Sequence, residues 1–382
     1  MKNIVFFRNP KSVKTGAVIS NQILCDHLTK NKNWRLIELR PNKTQCSLNQ
    51  EIKTVGYIAM FLSLAMEKDI LEKADLCLGT SFAGMASVLY GKPLVAIMRS
   101  TGYGEYKTMI EFNQKPTKEL KISQKWEKIL GIKKDEEVKN IHKIVGHAEQ
   151  FTINHANKIV AVSQSIKKEL ITLYNQPDSK IVIIHNSVDD KWLESLHNST
   201  TRKPRILGIS RLSENQFGFR RKGIGIALEI MSAFSDDYES LFIGQARESS
   251  TISRKLAEHK IKFLPNLENK AIKKEIRVGD IFLFTSIYEP FGRTVMETMS
   301  RGAIPIGFDA GAVKDCVIHG KNGFIAKNYQ DIIKYTKELL ANQSRRIKVG
   351  QAARETAQKF FTTRKMIKEY QRCIEEILSA KN

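Results

Sequence analysis

Paired cysteines are missing from this sequence. The five present, Cys25, Cys46, Cys77, Cys316 and Cys373, lie far apart, include no C-x-x-C, and are odd in number. That spacing excludes a disulfide scaffold and a zinc ribbon, and it suits buried thiols in a reducing compartment. Long hydrophobic runs are missing too. The longest, Tyr57 to Met66, is about half a bilayer span, so no spanning helix is expected. At the amino end Arg8 and Pro10 interrupt the short apolar run of MKNIVFFRNP, which reads as a buried first strand and not a secretory leader. His142 and His147 are five apart, the wrong offset for one helical face, so the eight histidines suggest no metal site. Asp-x-Asp occurs nowhere. Acidic residues are scarce beside basic ones, 40 against 62, a net charge of +22. Such an excess points to a polyanionic partner: nucleic acid, an anionic membrane or a phosphorylated substrate.

What is present is ordinary globular composition, 42% hydrophobic and 27% charged. That excludes wholesale disorder, and no G-X-Y period or long heptad run suggests collagen or a coiled coil. The 382 residues suggest two to three domains. Short apolar runs alternate with helical stretches, the pattern of an α/β protein with parallel sheets. Strands are expected at Ile4–Phe7, Ala74–Leu78, Leu94–Met98, Ile159–Val162 and Ile181–Ile184, with a first helix over Gly16–His27. The polar stretch Ser195–Pro204 (SLHNSTTRKP) reads as a linker. Strands then resume at Ile206–Ser210, Ser240–Ile243, Ile261–Leu264, Ile281–Phe284 and Ile304–Gly307. Residues 102–150, with ten Lys and eight acidic residues, break the rhythm and read as a solvated helical insertion.

The chemistry concentrates in Asp280–Ala326, DIFLFTSIYEPFGRTVMETMSRGAIPIGFDAGAVKDCVIHGKNGFIA. A buried strand is followed by the turn Tyr288–Gly292 and a helix that runs to Arg301 and stops at Gly302. Pro290 suits the first helical position, since it has no N–H to orphan there. The amides of Phe291, Gly292, Arg293 and Thr294 then form an anion site at the carboxyl end of the sheet. Glu289 sits at the mouth of that site and Glu297 two helical turns further on. Carboxylates placed there suit sugar hydroxyls better than phosphate.

E-P-F-G-x-x-x-x-E followed by G-x-x-x-x-G resembles the Glu-x7-Glu signature of retaining glycosyltransferases, in particular family 4. Other pieces fall in the same order. Ala156–Ser163 (ANKIVAVS) resembles that family's ADxIIAVS strand, and Ile184–Asp189 (IHNSVD) its xxNGVD segment. Ser210-Arg211-Leu212 with Arg221-Lys222-Gly223 resembles the GRL…KG pair, and Gly91–Val95 its GxPxV segment. The likeness is good over the C-terminal half and loose over the N-terminal half.

The resemblance implies a GT-B fold: two Rossmann-like parallel-sheet domains facing each other across a cleft. Residues 1–197 would bind acceptor, 198–360 the nucleotide sugar, and 361–382 would form a helix returning to the first domain. Arg211 and Lys222 would clamp the donor diphosphate in place of a metal, and no cofactor is implied. Glu289 would contact the transferred sugar and Glu297 the ribose, with Phe291, Gly292, Arg293 and Thr294 completing the phosphate cradle. Arg293 is equally open to phosphate or solvent. Gly16 is either a simple turn glycine or the point where the first domain approaches the diphosphate. Many family members carry a His after the strand that GxPxV opens. Here Ala96–Gly102 (AIMRSTG) has Arg99 near that place, either a strand-end cation or an acceptor-side group, and no general base is assigned.

The activity implied is transfer of a hexose-type sugar from a UDP- or GDP-sugar to a cell-envelope glycan or glycolipid, such as lipopolysaccharide, capsule or a lipid-linked oligosaccharide. The place implied is the cytoplasmic face of a bacterial inner membrane, peripherally bound. A nucleotide-sugar epimerase is the alternative within the fold. A nucleic-acid binder is motivated by charge alone, and no module for it is visible. A P-loop fails, because Gly84 to Gly91-Lys92 is wrongly spaced and Pro93 replaces Ser/Thr; Gly223-x-Gly225 lacks a third glycine. Residues 1–50 hold nine basic and two acidic residues and 344–382 ten and four. Both basic ends are expected on the acceptor domain, against anionic lipid.

Overall fold

The computed structural model describes residues 1–9, 16–41, 50–134, 138–194, 204–212 and 215–380. Cys46, Thr15 and nearly all of the expected linker, 195–203, lie outside them. The chain forms two units: Met1–Lys107 with Glu136–Ser187 and Thr363–Asn382, and Thr108–Asp135 with Val188–Thr362. The boundaries expected at 197/198 and 360/361 stand against 187/188 and 362/363.

Unit 1 is built on β1 (Lys2–Phe7), β2 (Trp34–Leu39), β3 (Leu76–Thr80), β4 (Leu94–Met98), β5 (Lys158–Ala161) and β6 (Ile181–Ile183). They are all parallel, in the order β2-β1-β3-β4-β5-β6. Parallel strands joined by helical crossovers are covered on both faces, which is why β3 (LCLGT) and β4 (LVAIM) are buried at every residue. The last helix, Thr363–Ser379, adds Met366, Ile367, Tyr370 and Ile374 to the core of Ile4, Phe6, Leu76 and Ile97. Its other face exposes Arg364, Lys365, Lys368 and Arg372.

Unit 2 is built on β7 (Arg205–Ile209), β8 (Glu239–Gly244), β9 (Ile261–Pro265), β10 (Ile281–Phe284), β11 (Ile304–Phe308) and β12 (Phe324–Ala326). They too are parallel, ordered β12-β11-β10-β7-β8-β9. The order reverses between β7 and β10, so the carboxyl ends of these two strands flank the place where such sheets hold ligands. The amino ends are held by a buried ion pair, Arg205 Nη2 to Asp280 Oδ2 at 2.7 Å.

Three expectations change. The strands β2 and β12, which the apolar-run pattern passed over, each lie at one edge of their sheet, the opposite edges being the expected β6 and β9: β2 is half-exposed and β12 has three residues. The insertion 102–150 divides. Its helix Lys118–Leu130 packs on the helix Ile224–Phe234, placing Ile122, Trp126 and Leu130 in the core of unit 2, whereas Val138–His155 belongs to unit 1. The basic C-terminal end divides as well. Of residues 344–382, five basic and one acidic lie before Thr363 in unit 2, and five basic and three acidic follow in unit 1.

Candidate functional site

The site lies in unit 2, where β7 and β10 end. Beyond β7 the chain runs through Ser210, Arg211 and Leu212, and the Leu212 amide donates to the Gln245 carbonyl at 3.0 Å. Arg211 Nε donates to the Gln245 side-chain oxygen at 3.2 Å. Beyond β10 the segment Thr285–Ile287 is stitched to 221–223. The Ile287 amide donates to Arg221 O at 2.8 Å, and the Thr285 hydroxyl to Gly223 O at 2.8 Å. Gly223 must be glycine: its φ is +59°, and a Cβ there would lie 1.8 Å from Thr285 O. The closeness of these two segments brings Lys222 to the β10 loop.

There Lys222 Nζ donates to Glu289 Oε2 at 2.6 Å, and the other oxygen of Glu289 accepts from the Gly292 amide at 3.1 Å. Burial works to raise the Glu289 carboxyl. The charge and hydrogen bond of Lys222, the charge of Arg221 and the Gly292 amide outweigh it and hold the group below its ordinary value. Glu297 goes the other way. Burial lifts it above the ordinary carboxylate value despite Arg293, whose Nε donates to Glu297 Oε1 at 2.7 Å, and Asp189 adds to the lift.

Two cavities open here. One, of about 110 Å³, is lined by Arg211, Lys222, Ser286, Glu289 and Thr294. The other, of about 220 Å³, is lined by Trp192, Arg211, Leu267, Asn269, Thr294 and Glu297. Arg211 and Thr294 border both. Lys222 and Glu289 thus face the small cavity, whose walls also include Phe242 and Phe282, whereas Trp192, Asn269 and Glu297 face the larger one, and Arg211 reaches both.

The structure therefore brings together Arg211, Lys222, Glu289, Thr294 and Glu297. Phe291, Gly292 and Arg293 line neither cavity. Phe291 packs edge-on against Phe361, at 6.3 Å between ring centroids. The helix starts at Arg293 and not at Pro290, capped by Gly292 with φ +80°. That correction has a local cause, because Glu289 takes the Gly292 amide and the left-handed glycine delays the helix. Gly16 and Arg99 lie in unit 1. Gly16 opens the helix Gly16–Leu28 and is exposed. Arg99 is buried and donates to the side-chain oxygens of Asn21, at 2.8 Å, and Asn186.

Gln245, Asn269 and Trp192 were not anticipated. Gln245 follows β8 directly, so the rule that ligands sit at strand carboxyl ends points to it. Leu267, just beyond β9, lines the larger cavity, with Asn269 and Ile272 following it.

Comparison with known proteins adds identity to this geometry. Residues 71–192 match the model Glycosyltransferase Family 4, and residues 197–356 match Glycosyl transferases group 1. N-acetyl-alpha-D-glucosaminyl L-malate synthase from Bacillus anthracis is 23% identical over 243 residues, 60% of this chain and 62% of that protein. The chain spans about half to just under two thirds of the length of three curated relatives it matches. Sucrose-phosphate synthase from Thermosynechococcus elongatus superposes with a TM-score of 0.75 over 100% of both chains at 14% identity. Anabaena Alr3699/HepE, solved in complex with UDP and glucose, gives 0.66 over 98% of this chain and 99% of that one at 15% identity. The fold is GT-B, and in sequence the chain is of the type that the two glycosyltransferase models describe.

Proposed function

We propose that this chain is a retaining, metal-independent glycosyltransferase that moves a hexose-type sugar from a UDP- or GDP-sugar to a cell-envelope glycan or glycolipid. The observation that carries the reading is the pair Lys222–Glu289, 2.6 Å apart and lining one small cavity with Arg211 at the strand-order reversal. As the bond between sugar and diphosphate breaks, negative charge grows on the leaving diphosphate. Fixed cations, Lys222 and Arg211, stabilise that charge without reorganising. Glu289, held ionised by Lys222, accepts hydrogen bonds from the transferred sugar. Glu297 does so from the ribose, in the larger cavity where Trp192 and Leu267 supply apolar walls for a nucleoside. The acceptor hydroxyl attacks on the face that the diphosphate leaves, and a phosphate oxygen takes its proton, so the anomeric configuration is kept. A solved GT-B structure holding UDP and glucose supports a nucleotide-sugar donor.

The acceptor is read as membrane-borne. Residues 1–50 carry nine basic and two acidic residues, and the last helix, in the same unit, exposes four more cations. No helix among the described residues is long and apolar enough to cross a membrane. Peripheral attachment through anionic lipid, on the cytoplasmic face, is the reading that fits.

The test is a thermal-shift screen of UDP-, GDP- and ADP-sugars, followed by transfer assays with NMR of the product anomer. A true donor at 100 times its dissociation constant adds about 2.7 kcal/mol to stability. Inversion of the product, or release of epimerised donor without any acceptor, would overturn the assignment.

A further inference from the structure

We propose that Glu127, by its two-point grip on Arg220, is a positioning residue that aims Lys222 at the donor diphosphate; this rests on the reading of Lys222 as phosphate clamp. Lys222 caps the end of Gln216–Arg221, a helix of only six residues. A helix that short does not hold itself in water, so its orientation must come from what it packs against. The grip comes from the segment 108–135, which is remote in sequence yet part of unit 2.

At the helix start, the Gln216 amide donates to Lys133 O at 3.0 Å, and Gln216 Nε2 to Glu127 Oε2 at 2.8 Å. At the helix end, Arg220 Nε donates to Glu127 Oε1 at 2.6 Å, and Arg220 Nη2 to Glu127 Oε2 at 2.9 Å. The remaining arm, Nη1, donates to Asn113 Oδ1 at 2.7 Å. The side chains of Arg220 and Glu127 are 10% and 8% exposed. Glu127 is itself fixed, since its neighbour Trp126 is fully buried and donates to Glu229 Oε2 at 2.7 Å.

A fork–fork pair sets rotation as well as distance. A buried ion pair is often no more stabilising than apolar residues of the same volume, so what this one supplies is direction. The helix cannot roll about its axis without breaking the fork, and two residues beyond Arg220 stands Lys222. Glu127 is not among the residues that line the small cavity and acts through Arg220.

The experiment uses the full-length chain with Glu127→Leu and Arg220→Met combined, a swap that keeps volume and removes both charges. Affinity is measured by ligand-observed NMR and calorimetry for whichever of UDP, GDP or ADP the wild type binds best, and for the matching nucleoside. The double variant is expected to melt near the wild type, to lose about tenfold in diphosphate affinity as coupled neighbours do, and to bind the nucleoside unchanged. Adding the pair to Lys222→Ala is expected to cost nothing further. Glu127→Gln keeps the shape and breaks only the fork; it should fall between, and it decides the matter if the double variant does not fold. An unchanged ratio of diphosphate to nucleoside affinity in a folded variant overturns the positioning role. A wild type that binds none of the three diphosphates overturns the donor reading itself, a different result.

Discussion

Lys222 and Glu289 are 67 residues apart in sequence, and their charged atoms lie 2.6 Å apart. Neither element could bring this about alone. The Gly223 backbone against Thr285 O joins the two segments, and the short helix before Lys222 and the capped turn after Glu289 set the angle. On the proposed reading, removing Lys222 is therefore expected to strip the leaving diphosphate of one of its two cations. By analogy with loss of a single oxyanion donor, Lys222→Ala should lower the transfer rate by about 10²–10³ while the protein stays folded. Glu289→Ala should also abolish transfer. Steady-state kinetics beside circular dichroism check both; normal transfer by both variants would sink the site assignment.

The same pair fixes a pH dependence. The folded-state carboxyl of Glu289 lies below its ordinary value, so its contribution to stability is present above the unfolded pKa and is lost as pH falls through the folded one. Without Lys222 the largest remaining influence is burial, which raises the group. In Lys222→Ala the Glu289 carboxyl should titrate at higher pH than in the wild type, readable as a shift of its side-chain carbon resonance. No shift would mean that Lys222 is not what keeps Glu289 ionised.

Gly223→Ala tests the geometry without touching a charge. A Cβ at φ +59° would meet Thr285 O at 1.8 Å, so the segments 221–223 and 285–287 must separate. Strain at such a position costs about 1–3 kcal/mol. Nucleotide affinity should fall with stability, although every side chain lining the cavities is retained. Full affinity with an unchanged melting temperature would contradict the fit described here.

Much of this was legible in the sequence. Interior strands are continuous apolar runs because both faces are covered, and β4 and β10 match the expected spans Leu94–Met98 and Ile281–Phe284. Of the four edge strands β6 and β9 keep a readable apolar run, whereas β2 (WRLIEL) mixes Arg35 and Glu38 into a half-exposed strand and β12 (FIA) is three residues long. Within the site, Lys222 and Glu289 carry a local motif. The Glu127–Arg220 fork carries none, since its partners are 93 residues apart and Glu127 belongs to a stretch that reads as a solvated helical insertion. The helix start was misplaced because a proline is a local signal, whereas the left-handed Gly292 depends on where Glu289 points.

In unit 1, Glu149 is a buried carboxyl that accepts from Ser81 Oγ at 2.7 Å, the Gly102 amide at 2.8 Å and Tyr174 Oη at 2.5 Å. Burial dominates, with Glu105 adding to it, and the group is pushed up from 4.5 to about 7. For a raised carboxyl the contribution to stability is full below the unfolded value and lost as pH rises through the folded one. At about 1.4 kcal/mol per unit, the wild type should lose on the order of 3 kcal/mol from this group between pH 4.5 and 8. Glu149→Gln stays neutral and should flatten that decline, as denaturant midpoints across the range would show. An equal decline in the variant would assign the loss to other groups.

The charge excess gives the last prediction. Arg364, Lys365, Lys368 and Arg372 line the exposed face of a helix whose apolar face is buried in unit 1, the unit that also holds the basic residues 1–50. Each cation near an anionic surface is worth about 1 kcal/mol, and the attraction decays within a Debye length of about 8 Å at physiological salt. Binding to vesicles rich in anionic lipid should be strong at low salt and reversed by added salt. Changing the four cations to Gln together should weaken it by two or more orders of magnitude on that scale. They lie outside the proposed donor site of unit 2, so nucleotide affinity should not change. Equal binding to neutral and anionic vesicles would remove electrostatics as the cause and leave the +22 without a membrane role.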